Sequence, residues 1–181
     1  MSKFSITSKK IVLHADLFDV NQIQIVKESG EKATWHNVEV KPVVFILAMT
    51  ENKELYLVKQ FRFAIQKMSL EIPAGFLHDN EDPLDAAKRE LREETGLTAE
   101  KWTPLGRKLS GVGAVIGLQY YFLAENLTEG EQEQDDTEDI QVILTPLKEV
   151  INLTTRDEIA IVTSSFGIFL LKEFLENKGL F

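Results

Sequence analysis

Apolar and polar positions along this chain follow two rhythms. Short runs with a period near two, rich in Val, Ile, Phe and Tyr, cover residues 11–17, 22–27, 34–40, 43–49, Glu54–Arg62, 69–72, 102–109, 118–124 and 140–145. These runs predict strands. Residues 43–49 (Val-Val-Phe-Ile-Leu-Ala-Met) are apolar throughout, as a strand buried on both faces would be. The alternating run Glu54–Arg62 is expected to pair with it across a turn at Glu51-Asn52. Pro73 cannot continue a ladder, so the strand at 69–72 should stop there.

The second rhythm has the helical period. In Pro83–Thr95 the apolar residues Leu84, Ala87 and Leu91 fall on one face. Asp82 suits the N-cap, Pro83 the first helical position and Gly96 the position just past the end. Residues 146–151 read as a short helix. Residues 157–177 read as a long one, with Ile159, Val162, Phe166, Phe169, Leu170 and Phe174 as its apolar face, Asp157 as its cap and Gly179 past its end. Strands before and after a central helix, closed by one long helix, predict an α+β fold: a mixed sheet covered on two faces.

Charge sharpens the picture. The chain has 181 residues and a formal net charge of −9, which argues against a nucleic-acid surface. No apolar run reaches membrane-spanning length and the N-terminus lacks the apolar core of a secretory signal. There is no cysteine, which excludes thiolate chemistry and fits a cytoplasmic protein. Residues 125–139 hold eight carboxylates and no Lys or Arg, consistent with a solvated loop or a functional lid. The histidines His14, His36 and His78 form no metal-ligand spacing. An acidic chain that binds a phosphate ester needs bridging cations.

On the helix at Pro83–Thr95, Glu90, Glu93 and Glu94 lie at i, i+3 and i+4, so three carboxylates share a face. Like charges so placed destabilise an isolated helix; a hard divalent cation reverses the sign. Arg89 stands four residues before Glu93 and can hold it. Gly75 lets the backbone pass close to a ligand. Written out, Gly75, Glu81 and Arg89–Leu97 form Gly-x5-Glu-x7-Arg-Glu-Leu-x-Glu-Glu-x-Gly-Leu. Its seven singly specified positions make a chance match at a given start on the order of 10⁻⁸.

This pattern resembles the complete signature of the Nudix hydrolases. The resemblance implies the Nudix α/β/α sandwich for residues 41–181 and Mg²⁺-dependent hydrolysis of a pyrophosphate, with Mn²⁺ as a substitute. It implies metal ligands at Glu90, Glu94 and Glu93 and at the Ala74 carbonyl, with Glu81 and Arg89 as accessories. Val58-Lys59-Gln60-Phe61-Arg62, Leu70–Gly75 and Thr137–Val142 are similar to segments of the ADP-ribose and nucleoside-diphosphate-sugar pyrophosphatase branch. That branch implies an N-terminal β segment, here residues 1–40, that pairs across a homodimer. It also implies a general base in the acidic loop, Glu138 or Asp136, with Glu93 of the box and Glu71 as the other candidates. Arg62, Glu71 and Trp35 are the candidate substrate contacts, with Phe61 and Phe63 as further stacking candidates. Residues 111–117 (Gly-Val-Gly-Ala-Val-Ile-Gly) depart from the Ser-Pro-Gly and acidic residue of many ADP-ribose enzymes, which widens the expected substrate to a related nucleoside diphosphate-sugar. Signatures of the coenzyme A, NADH and dinucleoside-polyphosphate branches are absent. The rival expectation is a catalytically idle Nudix domain that senses a nucleotide-sugar; intact box glutamates weigh against it.

Overall fold

A computed structural model describes residues 3–133 and 139–181. Its elements run β1 (Phe4–Ala15), β2 (Phe18–Lys27), β3 (Lys32–Ala48), β4 (Glu54–Arg62), β5 (Lys67–Glu71), β6 (Ala74–Phe76), α1 (Pro83–Thr95), β7 (Leu97–Leu109), β8 (Val115–Glu129), β9 (Gln141–Pro146), α2 (Leu147–Thr155) and α3 (Val162–Asn177). Among the described residues the strands form two sheets. One has the order β1-β2-β3-β8-β7, with β6 also paired to β3; the other has the order β5-β4-β9. The architecture is the expected α+β sandwich.

Several sequence expectations need correction. The strand Glu54–Arg62 does not join the sheet of 43–49. It lies between β5 and β9 in the second sheet, and only an isolated bridge, Met49 to Leu55, links it to the end of β3. The strands expected at 34–40 and 43–49 are one strand, β3, which runs through Pro42. Its ladder with β2 ends at the pair Phe18–Val40, so the missing N–H of Pro42 takes no bond from that ladder. β7 begins at Leu97, directly after the helix, rather than at Trp102.

α1 follows its local chemistry. Asp82 has extended backbone and its Oδ1 accepts the Leu84 N–H at 2.8 Å. Gly96 is left-handed at φ 72° and donates its N–H to the Arg92 carbonyl. Ala86, Ala87 and Leu91 are buried against Val44, Ile46, Ala48, Phe122 and Ala124, with Leu84 partly buried beside them. Leu91→Ala would cost about 2–5 kcal/mol in such a core.

α3 does not follow the expectation. It begins at Val162 with Ile161 at the N-cap and no side-chain cap; Asp157 sits in the preceding turn at φ 60°. Its buried face is Ser164, Gly167, Ile168, Leu171 and Leu175, whereas Val162, Phe166 and Phe169 are exposed. Phe166 still meets the Tyr121 ring edge to face at 5.4 Å. A Cβ at Gly167 would lie 2.8 Å from Ile72 Cδ1 and 3.2 Å from the Tyr121 ring, so glycine sets the closest approach. Gly179 stands past the end as expected, with Gly179 N–H to Glu176 and Leu180 N–H to Leu175 closing a Schellman turn.

The chain divides into two compact units, residues 1–43 with 108–119, and residues 44–107 with 120–181. In the first, β1 pairs antiparallel with β2 from Phe4–Lys27 to Ala15–Phe18, and β2 with β3 from Phe18–Val40 to Val26–Lys32. Its ladder is supported by Val38 N–H to the Ala114 carbonyl at 2.7 Å and by Lys9–Glu39 at 2.5 Å. The second holds α1, α2, α3 and the apolar cluster described above.

Candidate active site

β5 ends at Glu71, two residues before Pro73, and the Pro73 carbonyl accepts the Ile46 N–H at 2.8 Å. The chain then forms β6, which pairs with β3 and packs on α1. Gly75 is therefore a strand residue, not part of the approach to the helix. Its lack of a side chain is required. A Cβ there would lie 1.9 Å from Glu90 Cδ and about as close to both carboxylate oxygens. The Glu90 carboxylate rests on the Gly75 backbone. One residue earlier, the Ala74 N–H donates to Glu94 Oε2 at 2.9 Å, and Glu94 is only 4% exposed.

Arg89 organises the rest. Its Nε and Nη2 donate to the two oxygens of Glu81, each at 2.9 Å. Nη1 donates to Glu90 at 2.7 Å and to Glu93 at 2.8 Å, and Nη2 also reaches the Phe76 carbonyl at 3.0 Å. Glu81 accepts the His78 N–H at 2.8 Å, which ties the pre-helix loop into the same cluster. Hydrogen bonding from Arg89 holds the Glu81 carboxyl down at about 2, against the upward push of burial, and the His78 N–H adds to the effect. Arg89 is correspondingly held well above its ordinary value, chiefly by Glu81.

The electrostatics follow from a count. When ionised, Glu81, Glu90 and Glu93 put three negative charges on the one Arg89 guanidinium, and Glu94, on the Ala74 N–H, adds a fourth to the cluster. The donors near α1 are all oxygen: carboxylates plus the Ala74 carbonyl. That set suits a hard divalent cation. Among the described residues no three Asp, Glu or His side chains converge closely enough to hold one as they stand. Arg89 draws Glu90 and Glu93 toward itself, and Glu94 points at the Ala74 amide. A cation would have to draw Glu90 from Arg89.

A second polar cluster lies on the β4–β5 hairpin. Arg62 Nε and Nη2 donate to the two oxygens of Glu71 at 2.8 and 2.7 Å. The Glu71 side chain is 7% exposed and that of Arg62 is 41% exposed. Burial pushes the Glu71 carboxyl up, but the bonds and charge of Arg62, with a bond from Ser69, outweigh it and leave it below the usual carboxylate value. Both substrate candidates Arg62 and Glu71 are thus joined in a two-pronged pair.

The remaining candidates divide. Trp35 is an exposed residue of the first unit, opposite Ile23 in the β2–β3 ladder. Phe61 and Phe63 are exposed and pack edge to face at 5.4 Å. Asp136 and Glu138 lie outside the described residues. Their N-terminal flank packs on the end of α1. A Cβ at Gly96 would lie 2.6 Å from the Gly130 carbonyl, the Gln132 amide donates to the Glu94 carbonyl, and Arg92 pairs with Glu133 at 2.6 Å. Sequence reasoning placed this flank in an acidic loop over 125–139, of which β8 takes the part up to Glu129, and it foresaw neither the packing on α1 nor the Phe76 carbonyl and His78 N–H. No side-chain signal marks backbone groups, and the contact of 130–133 with α1 is long-range.

A model of the NUDIX domain family matches residues 39–164. This chain belongs to the Nudix family. It is a Nudix hydrolase, an enzyme acting on phosphoric anhydrides. Over 173 residues the hydrolase is 32% identical to the ADP-ribose pyrophosphatase of Bacillus subtilis (strain 168), covering 93% of this chain and 94% of that one. It is 22% identical over 182 residues to the ADP compounds hydrolase NudE of Escherichia coli (strain K12), covering 99% and 97%. Its fold matches the crystal structure of an ADP compounds hydrolase with a TM-score of 0.88, over 100% of this chain and 98% of that one, at 21% identity. No helix of the described residues is long and apolar enough to cross a membrane.

Proposed function

We propose that this Nudix hydrolase cleaves ADP-ribose, or a related nucleoside diphosphate-sugar, to a nucleoside monophosphate and a sugar phosphate, with Mg²⁺ as cofactor and Mn²⁺ as a substitute. One observation carries the reading: four carboxylates crowd Arg89 and the Ala74–Gly75 backbone, an excess of negative charge that an anionic diphosphate could approach only with cations between them. Near full-length similarity to an ADP-ribose pyrophosphatase supports the choice of substrate.

Glu90, Glu94 and Glu93, with the Ala74 carbonyl, would hold the metal. A divalent cation held there would supply neutralisation of phosphate charge and a more acidic water. The protein does the rest by positioning. Arg89 holds Glu93 and Glu90 on one side of α1, and Glu81 fixes Arg89 with both oxygens. Gly75 keeps the backbone low enough for Glu90 to lie across it. Arg62, oriented by Glu71, offers a planar cation for a phosphate oxygen. A carboxylate must take the proton of the attacking water. Glu138 is the first choice, then Asp136, with Glu93 as the base within the box. Glu138→Gln should lower kcat by about 10²–10⁴-fold and leave KM nearly unchanged, because water activation matters only in the transition state.

We also propose that residues 1–40 form a dimerisation segment of a cytoplasmic homodimer, with Trp35 beside the partner's site. Phe4, Ile6, Ile11, Val12 and Leu13 of β1 are exposed, which a second copy would cover. Light scattering should report about twice 20.6 kDa; a value near 20.6 kDa at micromolar concentration refutes the dimer. The activity is tested by incubating the chain with ADP-ribose, ADP-glucose and GDP-mannose plus Mg²⁺, then reading phosphate released by added phosphatase. ADP-ribose turnover that stops in EDTA and returns with Mg²⁺ is expected. No turnover of any of the three defeats the reading.

A further inference from the structure

Gln60 lies two residues before the end of β4, 7% exposed, and its Nε2 has no hydrogen-bond partner. A buried amide donor left unpaired costs stability, and folded chains rarely keep one without a use. The register places it. Gln60 stands opposite Ser69 of β5, Arg62 opposite Lys67 and Val58 opposite Glu71, with no shift along the ladder. Directly paired residues share a face, and so do alternate residues on one strand. Gln60, Arg62, Ser69 and Glu71 therefore form one polar patch on one face of the hairpin. Tyr56 belongs to the same face and packs on the cluster that includes Ala86, Ala87 and Leu91 of α1. The orphaned amide thus belongs to the side of the second sheet that meets the box helix.

Within this patch Glu71 already has Arg62 on both oxygens. Gln60 is the member with an unanswered donor. We propose that Gln60 is a substrate-contacting residue whose Nε2 donates to an oxygen of the bound nucleoside diphosphate-sugar, next to the oxygen that Arg62 takes. The inference rests on the substrate reading above and adds a specificity contact to it. The patch divides the work: Glu71 sets the plane of the Arg62 guanidinium, and Gln60 reads an acceptor at a fixed distance from it. The donor is neutral, so it discriminates by the position of an oxygen rather than by charge.

The test is Gln60→Met, which removes the donor at nearly constant length. On ADP-ribose with Mg²⁺, kcat/KM should fall about 10-fold or more, carried mainly by KM, since the contact is made in the bound ground state as well. The melting temperature should stay or rise, because an unpaired buried donor has been removed. Gln60→Glu puts an acceptor in the donor's place toward an anionic substrate, should lose at least as much, and decides the matter if the Met variant does not fold. Kinetics of both variants within about twofold of wild type overturn the inference. So does a lowered melting temperature with unchanged kinetics, which assigns Gln60 to the core. A wild-type chain that turns over none of ADP-ribose, ADP-glucose and GDP-mannose removes the substrate reading itself, visible without any Gln60 variant, and the inference falls with it.

Discussion

Two arginines each gather carboxylates in this molecule, and they do so differently. Arg89 is outnumbered, with Glu81, Glu90 and Glu93 on one guanidinium and Glu94 nearby. Arg62 faces one carboxylate, Glu71, in a one-to-one fork. An outnumbered arginine leaves negative charge over, and the surplus invites a cation. A matched pair leaves none, and its yield is orientation: a buried carboxylate holds a half-exposed guanidinium in one plane. The charge surplus of the first cluster favours a cation, while the second holds its own cation in a fixed plane.

The largest test strikes the surplus. Glu94→Gln keeps shape and removes one charge; kcat should drop by about 10²-fold or more in Mg²⁺. A near-wild-type rate would show that Glu94 holds no metal, and the contrast between the clusters would collapse. Gly75→Ala attacks the same cluster sterically, since a Cβ would lie 1.9 Å from Glu90 Cδ. Activity should fall about 10-fold or more as Glu90 is displaced, while steady-state assays with raised Mg²⁺ should recover little.

Arg62→Met breaks the matched pair and leaves Glu71 buried without its partner. Because Arg62 is partly exposed, the loss should be about 1–2 kcal/mol by urea unfolding, below the figure for a fully buried pair. Unchanged stability would mean that water replaces the guanidinium freely. Acid sharpens the comparison. The Glu81 carboxyl lies near 2 in the folded chain against 4.5 ordinarily. Its folded value is depressed, so its contribution is complete above 4.5 and is lost as pH falls through about 2. Glu81→Gln should flatten the stability curve across that window, measured by thermal melts at stepped pH. The smallest effect concerns the cap that sets where the Arg89 cluster begins. Asp82→Ala should cost about 1 kcal/mol, whereas Asp157→Asn, which caps nothing and keeps a side chain tolerant of the left-handed backbone there, should stay within about 0.5 kcal/mol.

The Arg89 cluster was legible in the sequence, and the Arg62 pair was legible only in part. Arg89 and Glu93 stand at i, i+4 on one helix, so their contact follows from helical spacing, whereas the bond from Arg89 to its neighbour Glu90 does not. Arg62 and Glu71 are nine positions apart across a turn, and their meeting depends on hairpin register. Glu71 was therefore read as a ligand contact without its partner. Gln60 sat in plain view next to Phe61-Arg62, but nothing in a sequence says that an amide is buried and unanswered.

By itself the sequence determined the box helix, its caps at Asp82 and Gly96 and the family; at Gly75 it predicted a close approach to a ligand, and the group found there is the Glu90 carboxylate. Each rests on local chemistry: a side chain and the backbone a few residues away, or a spacing that one helix turn enforces. Only the tertiary structure decided that Glu54–Arg62 pairs with β5 and β9 rather than with residues 43–49, and that β3 runs unbroken through Pro42. It also decided that α3 starts at Val162 and buries Gly167 and Ile168 instead of Phe166 and Phe169. The reason is the same in each case. Apolar residues were abundant on more than one face, so propensity left several arrangements open and tertiary packing selected one; for α3 the contacts are those of Ile72 and Tyr121 with Gly167.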